Sequence, residues 1–233
     1  MTSTTTTIMD TITDGTRLLR LLQLVSPALP IGAFAYSQGL ETAVDLGWVH
    51  DAPSTLAWLT GLCQSAFGTL DIAVFARLYN AFSQADGAAA VHWNAFLLAN
   101  RGAAELRAED KHLGAALNKV LVTLVPENRR LPLAGPAYAT AFAYAAVTFE
   151  IDRDVAALAF AFAWAEGQVS AAVRLVPLGQ SEGQRILMNL TQTLQACVQR
   201  GLQLLDHEIS NTAPGHVMAA ALHETQYARL FRS

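Results

Sequence analysis

The side chains whose types and spacing could do chemistry are few. Ser37 stands in Ala35-Tyr36-Ser37-Gln38-Gly39, which is half of the G-x-S-x-G turn that exposes a serine nucleophile. Ala35 replaces the first glycine, and no parallel sheet is predicted to carry such a turn. Ser37 therefore reads as the cap of the helix that follows. Glu105, Glu109 and His112 are spaced i, i+4, i+7, so they share one helix face, and Glu109 with His112 forms a literal E-x-x-H. A di-metal bundle needs a second such motif and two further glutamates, and no second E-x-x-H is found. The face reads as solvated, with Arg101 pairing Glu105 one turn on. His216 and His223 also share a helix face, without cysteines or carboxylates to complete a ligand set. Asp152 and Asp154 point to different sides of a helix and read as caps, not as a magnesium-diphosphate face. No Gly-rich phosphate cradle occurs. An all-α hydrolase or metalloenzyme built on Ser37, or on Glu109 with His112, is the catalytic alternative.

The elements that must position these groups are helical. Apolar residues recur at i, i+3, i+4, i+7, and no strand-like alternation runs beyond a few residues. Helices are predicted over 17–25, over 52–67 behind a cap at His50-Asp51 with Pro53 early, and over 71–85 with Phe75, Leu78, Tyr79 and Phe82 inward. Gly68-Thr69 reads as the break between the last two. Further helices follow over 91–100, 103–124 with Leu106, Leu113, Leu117, Val120 and Leu124 inward, 137–150, 154–176 and 181–207. The fold class is all-α: one domain of roughly eight to ten irregularly packed helices over 16–210. A flexible segment is expected over 1–15, and a partner-binding tail over 211–233.

Composition excludes several classes. The 233 residues carry a net charge of −4 and only two lysines, Lys111 and Lys119. Nucleic-acid binding needs clustered cations, so it is not expected. Cys63 and Cys197 have no metal or CxxC spacing and read as free thiols in a reducing compartment. The first residues hold no basic group and no apolar run, so they do not read as a secretory signal. Leu131 to Phe149 is uncharged, but Pro132, Pro136 and many alanines make it a buried core helix and not a membrane span.

Two stretches look made for other proteins. HETQYARLFRS, from His223 to Ser233, sets Tyr227, Leu230 and Phe231 at i, i+3, i+4 beside Arg229 and Arg232, the anchor pattern of a helix laid in a groove. In AAVRLVPLGQ, Arg174 ends an apolar helix before Pro177. It either holds terminal carbonyls or is offered to a partner's anion.

Leu21 to Val49, LLQLVSPALPIGAFAYSQGLETAVDLGWV, resembles the signature segment of the UreF family of urease accessory proteins. ELRAED from Glu105 to Asp110 with Leu113-Gly114, AAVRLVPLGQ from Ala171 to Gln180, and the closing HETQYARLFRS resemble that family in the same order. The resemblance implies an all-α, cytoplasmic, dimeric adaptor without catalysis of its own. It implies binding to UreD (also called UreH), recruitment of the nickel-carrying GTPase UreG, an effect on GTP hydrolysis, and nickel delivery to apo-urease. No tightly bound cofactor is implied; nickel is handled by the complex and at most passes through. On the UreG side the expected residues are Tyr36, Ser37, Gln38, Glu41, Glu105, Arg174 and Gln180. On the UreD/UreH side they are His223, Glu224, Tyr227, Arg229, Leu230, Phe231 and Arg232. Arg174 stands where the family often has lysine, and Ala33 and Ala35 where it often has glycine or serine. Within 26–41, Pro27 and Pro30 are expected to stop the first helix, and Gly32 and Gly39 to turn the chain. Phe34, Tyr36 and Trp48 are expected to pin the segment to the core. Ser37, Gln38 and Glu41 would then face a partner or line a passage.

Overall fold

A computed structural model describes residues 15–126 and 130–233; most of the expected flexible segment 1–15 lies outside it. Among the described residues every regular element is helical. They are α1 (Gly15–Leu24), α2 (Leu40–Asp45), α3 (Ala52–Leu62), α4 (Ala73–Ser83), α5 (Gly87–Ala99), α6 (Ala104–Leu124), α7 (Tyr138–Thr148), α8 (Arg153–Leu175), α9 (Gln180–Gln203) and α10 (Pro214–His223), with short 3₁₀ turns at Ala33–Ala35 and Asp206–Glu208.

The expected start of α3 is present. Asp51 accepts the Ser54 backbone N–H at 2.8 Å, the Ser54 hydroxyl returns to the Asp51 backbone, and Pro53 sits in the first turn. The expected break at Gly68-Thr69 is absent. Cys63–Ile72 continues α3 into α4 as a π-helical stretch. Gly68 serves packing instead. A Cβ on Gly201 of α9 would stand 2.4 Å from the Gly68 carbonyl oxygen, so two glycines let the helix backbones touch. The wound-out helix also leaves carbonyls for other chain segments. Ser65 O accepts from the Thr212 N–H, and Thr69 O from the Ser210 N–H, which fixes the approach to α10.

The core lies between α4, α6, α7, α8, α9 and the π-helical stretch, around Phe75, Phe142 and Phe160. Alanines line α7 because it is buried nearly all round: Ala139, Ala141, Ala143, Ala145 and Ala146 are fully covered. The uncharged stretch that tested the membrane question is thus a core helix. Two other spans, Ala52–Ser83 and Arg153–Leu175, are long and apolar enough to cross a bilayer, yet 78% and 50% of their apolar windows are covered by the rest of the fold. α7 begins on Ala137 without a side-chain cap of its own. Asn94 accepts its Ala137 N–H at 2.8 Å, and Asp110 its Tyr138 N–H at 2.7 Å, so neighbouring helices satisfy the free donors. Leu124, expected inward, is exposed at the end of α6.

Candidate functional site

Residues 35–41 and 223–233, far apart in the sequence, meet in one clasp. The Ser37 backbone N–H and hydroxyl both donate to Ser233 O, at 2.7 and 2.5 Å, and the Arg232 N–H donates to Ala35 O at 2.8 Å. Glu41 takes the Leu230 N–H on Oε1 at 2.6 Å and the Phe231 N–H on Oε2 at 2.9 Å. Its Oε2 is also 3.1 Å from His223 Nε2, while His223 Nδ1 is 2.6 Å from Glu105 Oε2. Arg229 closes the cluster on Glu105 at 2.8 Å. Glu224 accepts the Ala104 N–H and so caps α6. The Phe231 side chain fills a small apolar cluster of Leu40, Ala43, Val49, Ala171, Ala172 and Val176. Arg174 lies over the Phe231 ring, 5.9 Å from its centroid, and donates to Phe34 O.

Several expectations change here. Helix α10 ends at His223, and Tyr227 to Phe231 is irregular, not a helical anchor. Backbone N–H groups given to Glu41 are not available for helical bonds. Phe231 turns in, while Tyr227 and Leu230 are exposed. Phe34 is 66% exposed and does not pin the first segment; buried Tyr36 does. Ser37 and Glu41 are buried beneath the tail and are not displayed on a wall. Gln180 opens α9 on the surface.

Beneath the clasp lies a cavity of about 80 Å³ with mixed apolar and polar walls, lined by α6, α8, the π-helical stretch and the 33–38 segment. Gln38 bridges it. Its amide donates to Glu109 Oε1 at 2.7 Å and accepts from the Trp164 indole at 3.0 Å. Gln38 holds a left-handed backbone (φ 55°) and Gly39 another (φ 78°). At Gly39 a Cβ would strike Ala220 N of α10 at 2.8 Å, so only glycine fits. Non-glycine residues rarely take this conformation, and Gln38 is held there by its two side-chain bonds. Ser233 Oγ donates to Glu109 Oε2 at 2.7 Å. Burial pushes the Glu109 carboxyl up to about 7, against the two donors that favour its ionised form.

The solvated-face reading of α6 is corrected. Glu109 and Asp110 are buried, and Arg101 does not pair Glu105. The Arg101 guanidinium grips Asp71 at 2.5 and 3.1 Å and Asp110 at 2.9 Å, deep in the fold. The two carboxylates outweigh the burial that disfavours its charge and hold it firmly protonated. A side lobe of about 40 Å³ adds Asn211 and His216 to the Arg101 wall. Burial, then the Arg101 charge, lowers His216 to about 4, with the Gln38 backbone pulling weakly the other way.

This arrangement holds a chain segment and has no reacting centre in the hydrolase pattern. The Ser37 hydroxyl donates to a backbone carbonyl, and Glu109 faces Gln38 and Ser233 while His112 lies by the Tyr36 hydroxyl at 3.2 Å. Among the described residues no three His, Cys, Asp or Glu side chains gather as a metal-ligating group. The buried triad and the Gln38 bridge are absent from the sequence reading. One signal was present: Asp110 continues the Leu106, Leu113, Leu117 stripe, and Asp71 continues Phe75, Leu78, Phe82.

The UreF family's sequence profile matches residues 49–191. A urease accessory protein UreF of Chromohalobacter salexigens is 45% identical over 222 residues, 94% of this chain and 96% of that protein. Those of Alkalilimnicola ehrlichii and Marinobacter nauticus are 46% and 44% identical, over 92% and 93% of this chain and 95% and 94% of theirs.

Proposed function

The chain belongs to the UreF family, and on that premise we propose that it serves urease as a maturation factor and adaptor. It binds a UreD/UreH protein, recruits the GTPase UreG, modulates its GTP hydrolysis and helps bring nickel to apo-urease. In this reading it works in the cytoplasm as a homodimer, an accessory to catalysis and not a catalyst. Nickel is the cargo of the complex and passes transiently. The helical domain 16–210 is the platform, and 211–233 is the partner-binding segment.

The observation that carries the reading is the clasp. Residues 224–233 are held largely through their backbone, and Tyr227, Leu230 and Arg232 are left in solvent. A segment fixed in this way presents side chains to a partner at little further ordering cost. Tyr227, Arg229, Leu230 and Arg232, with Glu224, then form the UreD/UreH contact, and His223 and Phe231 are its inward anchors. Exposed Arg174 and Gln180 form the UreG contact. Tyr36, Ser37, Gln38, Glu41 and Glu105 support it from beneath. Arg174→Ala is expected to weaken UreG capture and leave UreD/UreH capture intact; removing 223–233 is expected to do the reverse. Pull-down of both partners at wild-type levels by both variants would contradict the assignment.

A further inference from the structure

We propose that Cys63 and Cys197 are a redox-sensitive dithiol, which a peroxide joins into a disulfide that staples the π-helical stretch to α9. They are the two cysteines of the chain, both buried and both free thiols. Cys63 opens the π-helical stretch, and Cys197 stands on α9 one turn before Gly201. The helix backbones touch at Gly68 and Gly201. A Cβ on Gly68 would also stand 3.1 Å from Cys197 Cβ and 2.7 Å from the Cys63 carbonyl oxygen. The glycine contact thus draws both cysteines to one point, and their thiols lie within hydrogen-bonding reach of each other. Only pairs brought this close can be bridged without moving the backbone.

The two thiols are unlike, as an attacking and a resolving thiol should be. The bond from Cys63 draws the Cys197 thiol below its ordinary value; burial opposes this, and the Arg200 charge assists it. The same bond, and then burial, pushes the Cys63 thiol well above its ordinary value. Cys197 is therefore the nucleophile. As thiolate it attacks one oxygen of hydrogen peroxide. The O–O bond breaks, hydroxide leaves and takes up the proton that Cys197 released, and a sulfenic acid remains. The Cys63 sulfur then attacks the Cys197 sulfur. The S–O bond breaks, and the hydroxyl departs as water with the Cys63 proton. Two thiols and one peroxide give one disulfide and two waters, with two electrons passing from sulfur to oxygen. Cys63 is fully covered and Cys197 is 7% exposed, which suits an oxidant little larger than water. Ser65 and Thr69 of the same stretch hold residues 212 and 210, so the staple also steadies the approach to α10.

The test treats the full-length protein, reduced and then freed of reductant, with hydrogen peroxide. The reaction is quenched with catalase, and the chain is unfolded in iodoacetamide for peptide mass mapping. A peptide joining Cys63 to Cys197 within one molecule is expected in place of the two alkylated peptides. Reduction in denaturant is expected to restore both thiols. The joined form is expected to melt at least about 5 °C above the reduced form, because the bridge closes a long loop of the unfolded chain. In Cys63→Ala, Cys197 is expected to pass on to sulfinic acid for want of its partner. In Cys197→Ala, Cys63 is expected to stay a thiol. Wild-type protein that keeps both thiols in a large excess of peroxide would overturn the proposal. So would sulfinic acid on either cysteine without the joined peptide, or a joined form that melts no higher than the reduced one.

Discussion

Replacing Glu109 by glutamine is expected to change how pH acts on this fold. Glu109 is raised from an ordinary 4.5 to about 7, so the folded state binds a proton that the unfolded state has released. Stability from this group is fully present below 4.5 and is lost as pH rises through 7. At 1.36 kcal/mol per pKa unit, its contribution falls by about 2.5 kcal/mol between pH 5 and pH 8. His216 works in the opposite sense: it is lowered from 6.5 to about 4, so its contribution is full above 6.5 and is lost as pH falls through 4. Over the same range it adds about 2 kcal/mol, so these two contributions nearly offset each other. Glutamine keeps the volume and an acceptor for Gln38; its amide NH2 replaces the acceptor for Ser233 Oγ, a change that does not depend on pH, and the falling limb is removed. Urea unfolding at pH 5, 6, 7 and 8 is the assay. The stability difference, Glu109→Gln minus wild type, should grow by about 2–3 kcal/mol across the series. A difference that stays constant with pH would refute the reading of Glu109 as a buried carboxyl that resists ionisation.

Arg101→Met leaves Asp71 and Asp110 buried without their cation and should cost about 3–5 kcal/mol in urea unfolding; a loss under about 1 kcal/mol would contradict the triad. Arg229→Ala removes a half-exposed pair with Glu105 and should cost less than about 1 kcal/mol in the same assay. Gly201→Ala puts a Cβ against the Gly68 carbonyl and should destabilise by about 1–3 kcal/mol, read as a lower melting temperature. Glu41→Ala should keep the helical content, measured by circular dichroism, and lower urease activation in cells; unchanged activation would remove Glu41 from the functional account.

Much of the architecture was legible because helices write themselves in period and caps. The cap at His50-Asp51, the Phe75 stripe and the buried run at α7 were all readable. Gly68 misled because a glycine that lets two helices touch has the same local signature as one that ends a helix; only Gly201, on a distant element, decides between them. The same holds for the site. Ser37, Gln38, Glu41 and the closing segment stood out as odd, but nothing local says that Glu41 accepts the backbone of residues 230 and 231. Arg101 was matched to the nearest acid in sequence, and the fold matched it to two acids that interrupt apolar stripes. A carboxylate placed on a core stripe must find a cation, and that rule would have pointed to Asp71 and Asp110.

The most direct test is co-purification. Mixed with a UreD/UreH protein and nickel-loaded UreG, the full chain is expected to elute in one complex with both, and a chain ending at residue 222 to lose UreD/UreH. Elution of the intact chain apart from both proteins would contradict the account.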